Sequence, residues 1–388
     1  MTDSYESVNN DEIIRAISLR GTRLEASEGS VSSDQLRDYL RQEGTNLQLE
    51  RLQSVLNEQL TISSSLRKTL LGGAEEALFS MTTSTKISIA GRVGLEALIC
   101  VTGRPAIATM NGNIDLDNPL LNEWAGRISP YVLDGTLAKR IRGVGRIDRA
   151  GKHKGTGFVV GPNLVLTNRH VLQLIATPIP QDTRPDHWDL HETDITIDFS
   201  DCPDESDGLE RFRVTEVVAA GDDPILDGSH HLLLDAALLR VEATDKSKPF
   251  PAPIGLLSNP SAGAKNRPVM LVGYPGRPQL PKLGNEYDHE IIAVLNQLFP
   301  KYGRRYVSPG LITAAASGAK GDEDFWTFRH DATSLNGSSG SSVLALEGDV
   351  RAIGLHYSGL WRKANFAHAM PRIEQSVEFL KAQGVLWM

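Results

Sequence analysis

The sequence predicts an α+β multidomain chain: a small helical bundle at 1–82, then an all-β sandwich or barrel region from about 143, closed by one helix. Three observations predict it. Helix start signals followed by apolar residues at helical spacing recur through the N-terminal region. Short β-type runs separated by turns take over at Gly143. The length, 388 residues, exceeds the roughly 100–200 residues of a usual single domain.

Taken in order, the bundle comes first. Asn9 with Glu12, Ser32 with Gln35 and Thr45 with Gln48 have capping-box spacing, in which a side-chain oxygen accepts from the third helical N–H and the acid or amide reaches back. Leu36, Tyr39 and Leu40, then Leu49, Leu52, Leu56 and Leu60, follow at helical spacing. Gly44 and the Gly72-Gly73 pair suit helix stops. Residues 83–142 read as a connecting region with turns at Gly103-Arg104-Pro105, Asn111-Gly112-Asn113 and Asn118-Pro119, its latter part expected to pack on the next unit. The β-type runs are Gly157 to Val160, Leu164 to Thr167, Thr193 to Phe199, Leu232 to Val241, Val269 to Gly273, Leu311 to Ala315, Ser342 to Leu346 and Ala352 to His356. A helical insertion is expected at Glu290 to Leu298 and a closing helix at Pro371 to Ala382, where Pro opens the first turn.

Composition excludes several classes. A formal net charge of −8 and a pI near 5.7, without any Lys/Arg-rich run, argue against nucleic acid as a partner. No apolar stretch is long enough for a membrane span, so no membrane partner is expected. The two cysteines, Cys100 and Cys202, make no disulfide framework, and the N-terminus lacks the basic and apolar regions of a secretory signal. The expectation is a reducing, cytoplasmic location.

Three segments carry chemistry. Acyl transfer to water needs a nucleophile, a base in reach, a group that holds the base, and donors for the oxyanion. The run Gly155 to Val171 reads as a hairpin of apolar strands delivering His170 just past a strand end. In Leu232 to Val241 one carboxylate, Asp235, sits in an apolar run; a buried carboxylate needs a partner, and an imidazole N–H is a good one. In Asn336-Gly337-Ser338-Ser339-Gly340-Ser341 the glycines let the backbone turn, so that the N–H groups of Gly337 and Ser339 can form an oxyanion hole.

Thr167-Asn168-Arg169-His170, Asp235-Ala236-Ala237-Leu238 and Gly337-Ser338-Ser339-Gly340-Ser341 together resemble the histidine, aspartate and serine motifs of trypsin-like (chymotrypsin-fold) serine peptidases of the bacterial, glutamyl-endopeptidase-like type, and in that family's chain order. The resemblance implies a chymotrypsin-like double β-barrel, with barrels at about 143–245 and 251–370 and a C-terminal helix at about 371–384. It implies a serine endopeptidase with His170, Asp235 and Ser339 as triad, a protein or peptide substrate and no cofactor. Ser338 stands where vertebrate trypsins carry an Asp that pairs with a freshly cut N-terminus, so activation by that ion pair is not expected. Thr333 stands where trypsin-type enzymes carry the Asp that binds Lys or Arg. With Ser334 and His356 it makes the candidate S1 set, and the alternatives for P1 are an acidic or a small residue.

Other signals are weaker. His187 and His191 have helical metal spacing but lie in a Pro/Asp-rich stretch, and Asp201, Asp204 and Asp207 read as an acidic surface loop; no metal is expected. A P-loop and a G-x-S-x-G elbow are both absent. For the helical region, a protein-interaction or regulatory module and a cap that merely packs on the barrels are both open. For the whole chain, the alternative to an active endopeptidase is a catalytically silent scaffold that binds extended peptides or partner proteins.

Overall fold

The computed structural model describes residues 64–83, 104–121, 124–179, 188–191, 194–226, 233–245, 249–276, 301–316, 327–334, 337–360, 364–376 and 384–388, with shorter pieces between 49 and 57, at 91 and 94, and between 282 and 287. The capping boxes at Asn9, Ser32 and Thr45, the helical insertion at 290–298 and the far half of the closing helix lie outside these residues.

Helix α1 (Ser64–Thr83) runs straight through Gly72-Gly73, which therefore are not helix stops. The cause is packing. A Cβ on Gly94 would lie 2.1 Å from the Ala74 amide nitrogen and 2.4 Å from the Gly73 carbonyl carbon, so another backbone rests directly on the helix there. That contact outweighs the roughly 1 kcal/mol that an interior glycine costs a helix.

The segment ahead of the barrels is more ordered than its turns suggest. It holds strand β1 (Ile107–Ala108), a turn at Asn111-Gly112 with φ of 52° and 73°, and helices α2 (Trp124–Leu133) and α3 (Thr136–Ile141). Pro130 sits inside α2, and an interior proline works against reading a helix there from sequence.

The first barrel is built from β2 (Val144–Arg149), β3 (Lys152–Gly161) and β4 (Leu164–Thr167), followed by the one-turn helix α4 (Arg169–Leu172). A two-stranded ribbon, β5 (Ala176–Pro178) and β6 (Trp188–Leu190), precedes β7 (Ile195–Asp198), β8 (Arg211–Ala220) and β9 (Ala237–Ala243). The order β2-β3-β4-β9-β8-β7 closes on itself, all antiparallel. Strand β9 begins at Ala237, so Asp235 sits just ahead of the strand and not within it. Strand β8 escapes the sequence reading because two register shifts, at Val214/Glu216 and Val217/Ala219, break its alternation.

The second barrel takes β10 (Pro268–Gly273), passes a short ribbon of β11 (Lys282–Leu283) and β12 (Glu286–Tyr287), and continues with β13 (Tyr306–Ala314) and β14 (Thr327–His330). Then come β15 (Ser342–Ala345), β16 (Ala352–Leu360), β17 (Ala364–Ala369) and helix α5 (Met370–Ser376). The order β13-β10-β15-β16-β17-β14 is closed by pairing of β14 with β13, and β1 adds to the start of β13. The chain is thus the expected chymotrypsin-like double barrel.

Alternation along these strands builds three cores. In β3, β4 and β9, Val159, Val165, Leu239 and Val241 fill the first barrel, while Phe158, Val160, Leu164, Leu166 and Leu238 face the other way. The second group meets Met270, Val272, Val307, Leu344 and Leu355 of the second barrel, together with Trp124 and Ile128 of α2 and Ile373 of α5. Val269, Leu271, Val343 and Ile353 fill the second barrel. Strands buried on both faces explain the unbroken apolar runs.

Arg305, fully buried just before β13, ties the layers. It donates to Val144 O at 3.1 Å and Phe199 O at 2.8 Å and pairs with Asp201. Asp201 also accepts from Thr109 Oγ1 at 2.6 Å and from the Gly112 N–H at 3.1 Å. Asp201 is thereby an ion-pair partner rather than part of an acidic surface loop. Burial pushes its carboxyl up, but the Arg305 guanidinium and these hydrogen bonds win and hold it below the usual range. Among the described residues, no helix is long and apolar enough to cross a membrane.

Candidate active site

Strand pairing brings two of the predicted residues together. Thr167 at the end of β4 pairs with Ala237 at the start of β9. In an antiparallel pair the residues just after one strand therefore lie beside those just before the other. His170 sits on α4, which directly follows β4, and Asp235 immediately precedes β9. His170 Nδ1 lies 2.6 Å from Asp235 Oδ2, and the His170 backbone N–H donates to Asp235 Oδ1 at 2.9 Å. Side-chain exposure is 27% for His170 and 3% for Asp235. The carboxylate is thus dry and held at both oxygens, while the imidazole keeps access to solvent. With Nδ1–H donating, Nε2 is left as the basic atom.

The backbone of Asp235 is anchored on both sides. Asn168 Nδ2 donates to Asp235 O at 2.9 Å, and the Asp235 N–H donates to His368 Nε2 at 3.1 Å. His368 comes from β17 and stacks on Tyr357 with ring centroids 4.2 Å apart. A residue of the second barrel therefore steadies the carboxylate of the first.

The Ser339 loop docks on β3. Gly337 and Gly340 both have φ of 88°, a region that favours glycine. Thr156 is the clamp: its N–H donates to Ser339 O at 2.8 Å, and its hydroxyl donates to Gly337 O at 2.9 Å. A Cβ on Gly340 would fall 1.8 Å from Thr156 O and 2.6 Å from Thr167 Oγ1. The loop accordingly lies against both the strand before His170 and its neighbour. Among the described residues, the amides of Gly337 and Ser339 and the Ser339 hydroxyl make no hydrogen bond. The structure brings the Ser339 backbone to the histidine segment; a direct Ser339–His170 hydrogen bond is not formed.

The S1 candidates take different places. Thr333 Oγ1 donates to Arg104 O at 2.5 Å, and Ser334 Oγ donates to Asn365 Oδ1 at 2.7 Å. His356 on β16 is buried, and its carbonyl accepts from the Gly340 N–H at 2.9 Å, so it touches the serine loop directly. Its Nδ1 lies 3.2 Å from Nε2 of the buried His330. Burial, then the His330 and His170 imidazoles, lowers the His356 pKa well below its usual value, and burial lowers His330 to about 4. Both rings are neutral at pH 7.

His368, His330, Thr156 and Arg104 escaped the sequence reading. The two histidines lie on short strands, His330 between Arg329 and Asp331 and His368 between two alanines, with no motif to mark them, and Thr156 and Arg104 act through partners far away in sequence. Of the metal-type histidines, His187 lies outside the described residues, and His191 contacts Arg149 Nη1 through its Nδ1 at 3.1 Å. Among the described residues, no group of three or more His, Cys, Asp or Glu could hold a metal ion.

The family model of the trypsin-like peptidase domain matches residues 155–353. A probable serine protease of Lysobacter enzymogenes is 31% identical over 293 residues, covering 70% of this chain and 71% of that protein. Among solved structures, the inactive form of Rv3671c from M. tuberculosis is 18% identical, covers 66% of this chain and 94% of its own, and has a TM-score of 0.36. The serine endoprotease from Yersinia pestis is 16% identical, covers 65% and 67%, and has a TM-score of 0.37.

Proposed function

The chain belongs to the trypsin-like peptidase family, and on that premise we propose that it is a serine endopeptidase working through Ser339, His170 and Asp235. The observation that carries this reading is the double contact of Asp235 with His170, at 2.6 Å to Nδ1 and 2.9 Å to the backbone N–H. It presets the tautomer in which Nε2 can take a proton.

Ser339 Oγ attacks the scissile carbonyl carbon while His170 Nε2 takes its proton. The oxyanion is met by the N–H groups of Gly337 and Ser339, which have no competing partner among the described residues. His170 returns the proton to the leaving amine as the C–N bond breaks, and the acyl group stays on Ser339. Water then attacks the ester, giving its proton to His170. His170 hands that proton to Ser339 Oγ as the acyl C–O bond breaks, releasing the acid and restoring the free hydroxyl. The imidazolium formed midway is stabilised by the buried Asp235 carboxylate.

At P1 we assign a preference for acidic or small residues. Among the described residues, His330 Nδ1 is buried without a hydrogen-bond partner. An unmet acceptor is cheaper there than an unmet donor. That favours the tautomer in which His330 Nε2–H donates to His356 Nδ1, leaving His356 with Nε2–H as a donor for a substrate carboxylate. The helical region ahead of residue 83 is assigned to regulation of this site.

A serine-directed fluorophosphonate should label the wild type and not Ser339→Ala, with peptide hydrolysis lost in parallel. Labelling that survives Ser339→Ala, or a wild type that neither labels nor cleaves, overturns the assignment. The second outcome leaves the peptide-binding scaffold.

A further inference from the structure

We infer that Arg104, well ahead of the first barrel, is a positioning residue for the substrate-binding wall formed by residues 331–334. The inference rests on the endopeptidase reading and deepens it. Arg104 and Asp331 form a two-pronged pair, Nε to Oδ1 at 2.5 Å and Nη2 to Oδ2 at 2.8 Å. Side-chain exposure is 2% and 13%, so the pair is shielded from solvent. The guanidinium also lies over the Trp124 ring, 5.4 Å from its centroid, which attaches it to α2.

The pair sits at the root of the wall. Asp331 Oδ1 accepts from the Leu311 N–H at 2.8 Å, and the Asp331 N–H donates to Leu311 O at 3.1 Å. This fixes the residue to β13. Two residues on, Thr333 Oγ1 donates to the Arg104 carbonyl at 2.5 Å. One arginine therefore holds the segment twice, by its side chain and by its backbone. The opposite side is held by Asn365 of β17, which donates through Nδ2 to Ala332 O at 2.7 Å and accepts from Ser334 Oγ at 2.7 Å. His330, next to Asp331, contacts His356, and His356 accepts from Gly340 in the serine loop. The wall, the candidate specificity histidine and the nucleophile loop are thus consecutive links, and Arg104 anchors the outer end. Removing the guanidinium takes the Arg104 charge away from the shielded Asp331 carboxylate. A shielded carboxylate that loses its cation recruits water or moves, and the wall moves with it.

The test uses the full chain as Arg104→Ala, Arg104→Lys and Thr333→Val. Measured are kcat and KM on peptides differing only at P1, the rate of fluorophosphonate labelling, and thermal stability. Arg104→Ala should raise KM roughly 10- to 100-fold while kcat and labelling stay within about threefold, the signature of lost binding rather than lost chemistry. Arg104→Lys keeps the charge but not the fork and should recover part of KM. Thr333→Val, which cuts only the second tie, should raise KM about three- to tenfold. If Arg104→Ala does not fold, the other two variants decide. Unchanged KM in Thr333→Val and Arg104→Lys overturns the inference, as does a loss of kcat and labelling equal to the loss in kcat/KM. A wild type that does not label removes the endopeptidase reading and the inference with it; a labelled wild type with unaffected variants removes the inference alone.

Discussion

At the scale of single residues, the site depends on how few groups satisfy Asp235. Its two oxygens are engaged by one residue, His170, through ring and backbone. An amide cannot accept at both atoms. Asp235→Asn would turn an N–H toward one of these donors and favour the wrong imidazole tautomer. We predict a fall in kcat of roughly 10⁴ with KM little changed, measured by steady-state peptide hydrolysis. The sequence nominated His170, Asp235 and Ser339 because each lies in a recognisable local pattern. It did not point to His368 or Thr156, whose parts are played only across the barrel interface. Nor could it tell that the Thr333 and Ser334 hydroxyls are spent on Arg104 and Asn365.

At the scale of elements, strands buried on both faces were the easiest to read. Gly157 to Val160 and Leu164 to Thr167 carry apolar residues toward two cores at once, so their runs are dense. Strand β8 and helix α2 were hidden, one by register shifts and the other by Pro130. The joint between elements is polar. Arg305 links Thr109 beside β1, Val144 of β2, Phe199 after β7 and the start of β13. Cutting one side of a buried ion pair leaves the other charge uncompensated. Arg305→Ala should destabilise the fold by about 3–5 kcal/mol. Urea unfolding checks this in a Ser339→Ala background, where self-cleavage cannot blur the transition. Adding Asp201→Asn should cost much less than its effect alone, since the two charges share one interaction.

At the scale of the whole molecule, buried neutral histidines make the fold acid-sensitive. His153 is lowered to about 4 by burial and then by Arg146, His330 to about 4 by burial, and His356 well below its usual value. The unfolded chain takes up these protons at about pH 6.5, whereas the folded one binds those of His153 and His330 only near 4 and that of His356 well below its usual value. Stability is therefore full above pH 6.5 and drains away as pH falls toward 4, by on the order of 1–3 kcal/mol each for His153 and His330. The melting temperature of Ser339→Ala should drop steadily from pH 7 to 4.5, and His153→Gln should flatten that slope. A flat profile in the parent would contradict the buried neutral state. The lowered carboxyls of Asp201 and Asp204 add their own loss only below this window. By itself the sequence determined what is local: which runs are strands and where turns fall. These follow from periodicity and backbone preference, which act over a few residues. Only the tertiary structure decided that β14 closes on β13, that β1 joins the same barrel, and that Arg104 meets Asp331 across more than two hundred positions. Such pairings are set by burial and charge between distant segments, for which a single sequence carries no spacing rule.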